Sequence, residues 1–142
     1  MQLIEIRKIE RISENIKFKS PADIAKYCMN KPLNMQTLAQ EHLYCFCLDA
    51  QNTANTIELI SKGSLTSATV HPREVLKAAI LSNSASIVLV HNHPSGNTTP
   101  STADIAITRQ IDKACDILGI TLHDHIIIGN GDYFSFNKAG LL

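Results

Sequence analysis

Apolar positions along the chain come in short runs of strand or helix period, cut by polar segments marked with Gly, Pro and Asn. Ser86-Ile-Val-Leu-Val90 is apolar and β-branched and reads as a buried strand. His42 to Leu48 reads as another strand, Asp49 to Asn55 as a polar turn, and Thr56 to Ser61 as the strand that pairs back. Gly63 then marks a bend or bulge. Leu122 to Ile128 predicts a further buried strand, Gly129 to Asp132 a hairpin turn, and Tyr133 to Phe136 a short return strand. Leu3 to Glu10 alternates apolar and charged residues, as a half-exposed edge strand would. Three segments take helical period instead. Ser20-Pro21-Ala22-Asp23 is a helix start, with Ser20 as cap, Pro21 in the first turn and Asp23 closing a capping box; the helix runs to about Cys28 or Met29. Asn30 to Pro32 breaks it, and a second short helix is expected from Met35 to Gln40. Pro72 opens a helix over Arg73 to Leu81. Ser101 opens the longest, with Ile105, Ile111, Ala114, Ile117 and Leu118 as its apolar face and Gly119 as its C′ residue. Strands and helices alternate, with hairpins mixed in. That pattern predicts an α/β fold: a single three-layer domain over residues 1–142, with a mixed β-sheet and helices on both faces. Residues 1–33 form an N-terminal strand and helix extension to a part spanning about 40–142.

A length of 142 residues and a hydrophobic content of 44% suit one globular domain and exclude fibrous and disordered classes. Thirteen basic residues balance 13 acidic ones, so no long-range field draws the chain to phosphates or anionic membranes. No apolar run approaches the roughly 20 residues of a membrane span, and Met1 to Arg7 is too charged for a signal peptide. Cys28, Cys45, Cys47 and Cys115 form no Cys-x-x-Cys pair and are expected as buried thiols of a reduced, cytoplasmic protein.

The chemistry lies at the end of the strand from Ser86. His91 and His93 are two residues apart, so in an extended chain both imidazoles share one face. A Pro- and Gly-containing loop, Pro94 to Pro100, turns the chain, and Ser101 and Asp104 follow at the start of a helix. Two imidazoles and a carboxylate are a three-ligand set that leaves a zinc ion one open position, as catalytic zinc needs. Ser101-Thr-Ala-Asp104 also fits a plain capping box, which needs no metal. The two readings are compatible, since a residue can cap a helix and also face a site.

The string His91-x-His93, seven residues, Ser101, two residues, Asp104 resembles the JAMM motif of the JAB/MPN metallohydrolases in residue type and spacing. His71-Pro-Arg-Glu-Val75, His91-Asn-His-Pro-Ser-Gly96, Asp124-His-Ile-Ile-Ile-Gly129 and the closing Gly140-Leu-Leu142 are similar to the RadC branch, from about Gln40 to the C-terminus. The resemblance implies a cytidine-deaminase-like α/β fold and one Zn2+ ion held by His91, His93 and Asp104. It also implies that Ser101 donates to the developing oxyanion and that an upstream glutamate is the general base. Glu41, at the entry to the strand from His42, is where the superfamily places that residue. Glu58, inside the next strand between Ile57 and Leu59, is the alternative, and Glu74 suits the first turn of its helix with no catalytic role. The chemistry is coherent by itself: zinc lowers the pKa of water to about 7, a carboxylate moves the proton, and a hydroxyl stabilises the tetrahedral oxygen.

His123-Asp-His125 is a second His-x-His, expected as strand-start residues with local hydrogen bonds; support of a ligand ring is the further possibility. His42 and His71 have no ligand spacing, and Lys62 and Arg73 read as solvated charges. The function expected is hydrolysis of a peptide or isopeptide bond in a protein or peptide substrate, with no membrane partner. The alternative implied by the RadC family is a nucleic-acid-processing or DNA-repair accessory role. RadC members usually carry a helix-hairpin-helix segment ahead of this domain; none is expected in these residues, and the zero net charge argues against strong DNA binding. A binding module without catalysis has no need of the intact ligand set. Oligomeric state is open.

Overall fold

The computed structural model describes residues 16–66 and 69–142. The expected edge strand Leu3 to Glu10 lies outside these residues. Among the described residues six strands form one mixed sheet in the order β1-β3-β2-β4-β5-β6. They are β1 (Ile16–Lys17), β2 (His42–Leu48), β3 (Thr53–Lys62), β4 (Ser86–Asn92), β5 (Thr121–Ile128) and β6 (Tyr133–Ser135). Among the described strands only β4 and β5 run parallel, and the helix between them makes the crossover that parallel neighbours need. The α-helices among the described residues are α1 (Pro21–Met29), α2 (Pro72–Leu81) and α3 (Thr102–Leu118).

Both faces of the sheet are buried, which is why β4 is buried at every position instead of alternating. Against one face α1 packs Ile24, Ala25 and Cys28 onto Phe46, Val88, Val90 and Ile126. Against the other, α2 and α3 pack Val75, Ala79, Ile107 and Ile111 onto Leu43, Cys45, Ile87 and Leu89. All four cysteines are buried free thiols. The three-layer α/β architecture is the one the alternation of periods predicts. Among the described residues no helix is long and apolar enough to cross a membrane.

Several elements differ in detail from their sequence patterns. β3 begins at Thr53 rather than Thr56, because its first residues pair with β1. The turn from Met35 stops at Thr37 as a 3₁₀ turn, and Leu38 is already extended. At α1, Ser20 Oγ accepts the Asp23 N–H (3.3 Å), but the Asp23 carboxylate takes the N–H of Lys19 (2.9 Å) instead of closing the box on Ser20.

The largest correction concerns α3. Its buried stripe is Asp104, Ile107, Thr108, Ile111 and Cys115. Of the expected face only Ile111 is fully buried; Ile117 is 85% exposed and Leu118 49%. Spacings of three and four residues do define the stripe, but two of its members are polar because they face the site. An apolar count alone rotates the helix the wrong way.

Candidate metal centre

β4 ends with His91 and Asn92, and His93 follows one residue beyond, its N–H still bonded to Ile128 O on β5 (2.9 Å). The chain then turns, with Gly96 N–H on His93 O (2.9 Å), and Gly96 takes a φ of +83° that favours glycine. This loop lies against the β5–β6 turn. A Cβ on Gly129 would sit 2.5 Å from Gly96 O, so only glycine lets the two backbones approach. The loop delivers Ser101 to the N-terminus of α3, where both halves of the predicted capping box form: Ser101 Oγ accepts Asp104 N–H (3.0 Å), and Asp104 Oδ2 accepts Ser101 N–H (2.7 Å).

Three predicted residues come together. His91 and Asp104 are buried, and the His93 side chain is 12% exposed. His91 Nε2 is 3.0 Å from His93 Nε2 and 3.3 Å from Asp104 Oδ1, while His93 Nε2 is 3.1 Å from Asp104 Oδ2. Burial alone would push the Asp104 carboxyl up, but a proton carried by the facing His91 ring when no metal is bound, with the Ser101 hydrogen bonds, holds it well below the usual carboxylate range.

Proton positions follow from the partners of the other ring nitrogens. Thr108 Oγ1 is 2.6 Å from the Asp104 carbonyl, which only accepts, so the hydroxyl proton lies there. Oγ1 therefore accepts the proton of His125 Nδ1, also at 2.6 Å. Burial pushes His125 well below the ordinary imidazole range and so favours the neutral ring, in which Nδ1 donates and Nε2 accepts. His91 Nδ1, 2.7 Å away, supplies the donor. His93 Nδ1 donates to Asn97 O (2.6 Å). With each Nδ1 engaged as a donor, Nε2 is the nitrogen that both rings turn to the same point as the Asp104 carboxylate, and the one each can offer to a metal.

Acceptors gathered so closely repel one another unless a cation sits among them. Ligands of a tetrahedral zinc, with bonds of about 2.0–2.1 Å, stand about 3.3–3.4 Å apart, so the donors need shift by only a few tenths of an ångström. His91, His93 and Asp104 are also the group of donors that meets metal-site geometry among the described residues.

The supporting residues were only partly foreseen. Asp124 makes the local bonds expected of it, accepting from His125 N–H, Ser135 Oγ and Asn137 N–H. His123 is exposed, whereas His125 is fully buried, bonded to His91 and stacked on Phe136 at 4.9 Å. The sequence reading passed over Thr108. Its signal was a polar residue one helical turn after Asp104, on the same face. We expect His125→Phe, which keeps the ring volume but removes the acceptor, to weaken metal affinity about 10–100-fold. Thr108→Val should act in the same direction. A competition titration with a chromophoric chelator measures this; unchanged affinities in both would mean that packing alone orients His91.

Glu41 and Ser101 occupy different positions relative to this cluster. Ser101 is exposed at its lip. Glu41 stands just ahead of β2, its Oε2 accepting Leu65 N–H (3.0 Å) and its carbonyl accepting Gly63 N–H (2.8 Å). Among the described residues it makes no hydrogen bond to the three donors. β2 pairs with β4 through Leu43 and His91, and that register continued puts Glu41 opposite His93. Glu58 lies on β3, with β2 between it and β4, paired with Cys45. His42, half-buried, stacks on Tyr44, and Arg73 sits 3.9 Å from Glu74 with both side chains exposed.

Comparison with known proteins gives this chain a family description and a set of relatives. The description "RadC-like JAB domain" matches residues 18–141. A UPF0758 protein of Clostridium beijerinckii is 46% identical over 136 residues, covering 96% of this chain and 58% of its own length. One from Chloroflexus aurantiacus is 47% identical over 130 residues, covering 92% of this chain and 56% of its own. One from Staphylococcus haemolyticus is 44% identical over 128 residues, covering 90% and 55%. The chain thus spans a little over half the length of these relatives. With matches of this extent, the chain belongs to the RadC-like JAB domain family.

Proposed function

We propose that this protein is a zinc-dependent hydrolase that cleaves a peptide or isopeptide bond. The observation that carries the reading is the convergence of two imidazole Nε2 atoms and a carboxylate, with the Nδ1 of each imidazole engaged in a separate hydrogen bond. Imidazole and carboxylate donors suit zinc, and three protein ligands leave a position open, which distinguishes a catalytic site from a structural one. His91, His93 and Asp104 would hold the ion. When bound, zinc supplies the Lewis acidity that makes water nucleophilic near neutral pH.

The remaining work falls to the chain's own residues. Glu41 is the proton acceptor in this reading, since it stands at the entry to β2, the strand beside β4, whereas Glu58 is one strand further out. Its carboxylate takes a proton from the attacking water and returns it to the leaving amine. Ser101 Oγ already accepts the Asp104 N–H, so its own proton is directed elsewhere and is available to the oxyanion of a tetrahedral intermediate. The Asn97-Thr-Thr-Pro100 segment beside the site supplies substrate contacts.

The zero net charge favours a protein or peptide substrate over nucleic acid. The test is metal analysis of the purified protein combined with a screen of quenched fluorescent peptides and lysine-branched isopeptides. Near-stoichiometric zinc is expected, with cleavage that stops on chelation and returns with added zinc. Metal-free protein that cleaves no amide but cuts single-stranded DNA would overturn the reading.

A further inference from the structure

We infer that Asn92 is a positioning residue for Glu41, holding the proposed base at a fixed place relative to the ligand pair. The inference rests on the reading of Glu41 as the proton acceptor. Asn92 lies between His91 and His93, and strand alternation turns its side chain away from theirs. It is 1% exposed, so both ends of its amide need partners. Its Oδ1 accepts the N–H of His42 (2.7 Å), and its Nδ2 donates to the carbonyl of Gln40 (3.0 Å). Those two groups are the main-chain atoms immediately after and immediately before Glu41.

The need for such a hold is visible in the sheet. The ladder between β2 and β4 ends at Leu43 and His91, so main-chain pairing stops short of the residues that matter. The Asn92 amide continues the stitching past that last rung. One residue, covalently joined to both histidines, therefore fixes the peptide units on either side of Glu41. Gly63 and Leu65 hold the same residue from the other side, through its carbonyl and Oε2. Without Asn92, the part-buried His42 N–H loses its partner, the Gln40 carbonyl keeps only the His42 ring nitrogen (3.0 Å), and Glu41 is free to shift against the ligands. Misplacement of a reacting group by about 1 Å can cost about 10²-fold in rate.

A residue that merely ends a strand would make the same bonds, so the test separates the two roles with a double-mutant cycle. Asn92→Ala is compared with wild type, alone and in the Glu41→Gln background, on a quenched fluorescent peptide that wild type cleaves. Turnover should fall about 10²-fold at unchanged KM. It should not fall further in the Glu41→Gln background, and zinc affinity of the apo protein should stay within about threefold because the ligand rings are held separately. Hydrogen exchange at the His42 amide should speed up at least tenfold, since it loses the acceptor it has among the described residues. An equal loss of turnover in both backgrounds, or a matching loss of zinc affinity, would overturn the inference. So would unchanged His42 exchange, a result that stands even where wild type cleaves no probe and the proposed function itself has failed. Should Asn92→Ala not fold, Asn92→Asp keeps the acceptor for His42 and loses only the donor to Gln40. It is then expected to lower turnover with the His42 amide still protected, and full turnover in this variant would equally overturn the inference.

Discussion

Asp104→Asn is expected to leave the protein folded and abolish its metal binding, with affinity falling by more than the roughly 10–100-fold that loss of a mere supporting contact costs. The substitution separates the two roles that the Ser101–Asp104 pair performs. As a cap, Asp104 needs only an oxygen that accepts the Ser101 N–H and a backbone N–H for Ser101 Oγ, and asparagine offers both. As a ligand it needs a negative oxygen facing His91 Nε2 and His93 Nε2, which asparagine lacks. Residue volume is nearly unchanged and the buried stripe of α3 is kept. The apo protein should therefore stay folded but melt a few degrees below wild type, because the carboxylate that His91 and Ser101 stabilise has become a neutral amide. Zinc titration against a competing chelator and a thermal melt with and without zinc read both quantities. Wild-type affinity in Asp104→Asn would reduce the carboxylate to a helix cap and remove the metal site.

The second large effect is expected from Glu41→Gln. Glutamine retains an oxygen for Leu65 N–H, and the main-chain bonds of Gly63 and Asn92 to this segment do not involve the side chain at all. Zinc affinity should remain at the wild-type value. Turnover on a cleaved peptide should drop by about 10²–10⁴-fold, the contribution usual for a general base. Retained turnover would remove Glu41 from the mechanism and direct attention to Glu58, where the same substitution would then have to cost the rate. The contrast between Asp104→Asn, which loses metal, and Glu41→Gln, which keeps it, distinguishes a ligand from a base without any structure of a complex.

Much of the architecture was readable in the order of residues. β2 matches its pattern from His42 to Leu48, α2 keeps its Pro72 start, and Gly119 ends α3 in the left-handed conformation expected of a C′ glycine. These features depend on neighbours in the chain: a cap, a run of β-branched residues, a residue without a side chain. The length of β3 depended on a strand that lies next to it only in the fold, and its start was misread accordingly. The stripe of α3 failed for a related reason. Thr108 and Asp104 belong on the buried side because of what faces them, namely His125 and the two ligand-type histidines.

The same division runs through the site. Sequence spacing alone determined that His91 and His93 share a face, because a strand repeats every two residues, and that Ser101 and Asp104 sit at a helix start, because their hydrogen bonds are local. It could not determine which nitrogen of each ring is bare. That is decided by Asn97, His125 and Thr108, the last two arriving from a parallel strand and the helix that crosses to it. Nor could it show that Asn92 stitches the entry of β2 to the end of β4, a contact that spans 50 residues of chain. Local periodicity and capping are short-range and survive in the sequence as pattern. Tautomers and the placing of a carboxylate against a ligand pair are set by partners far away in the chain, and only the folded sheet brings them together.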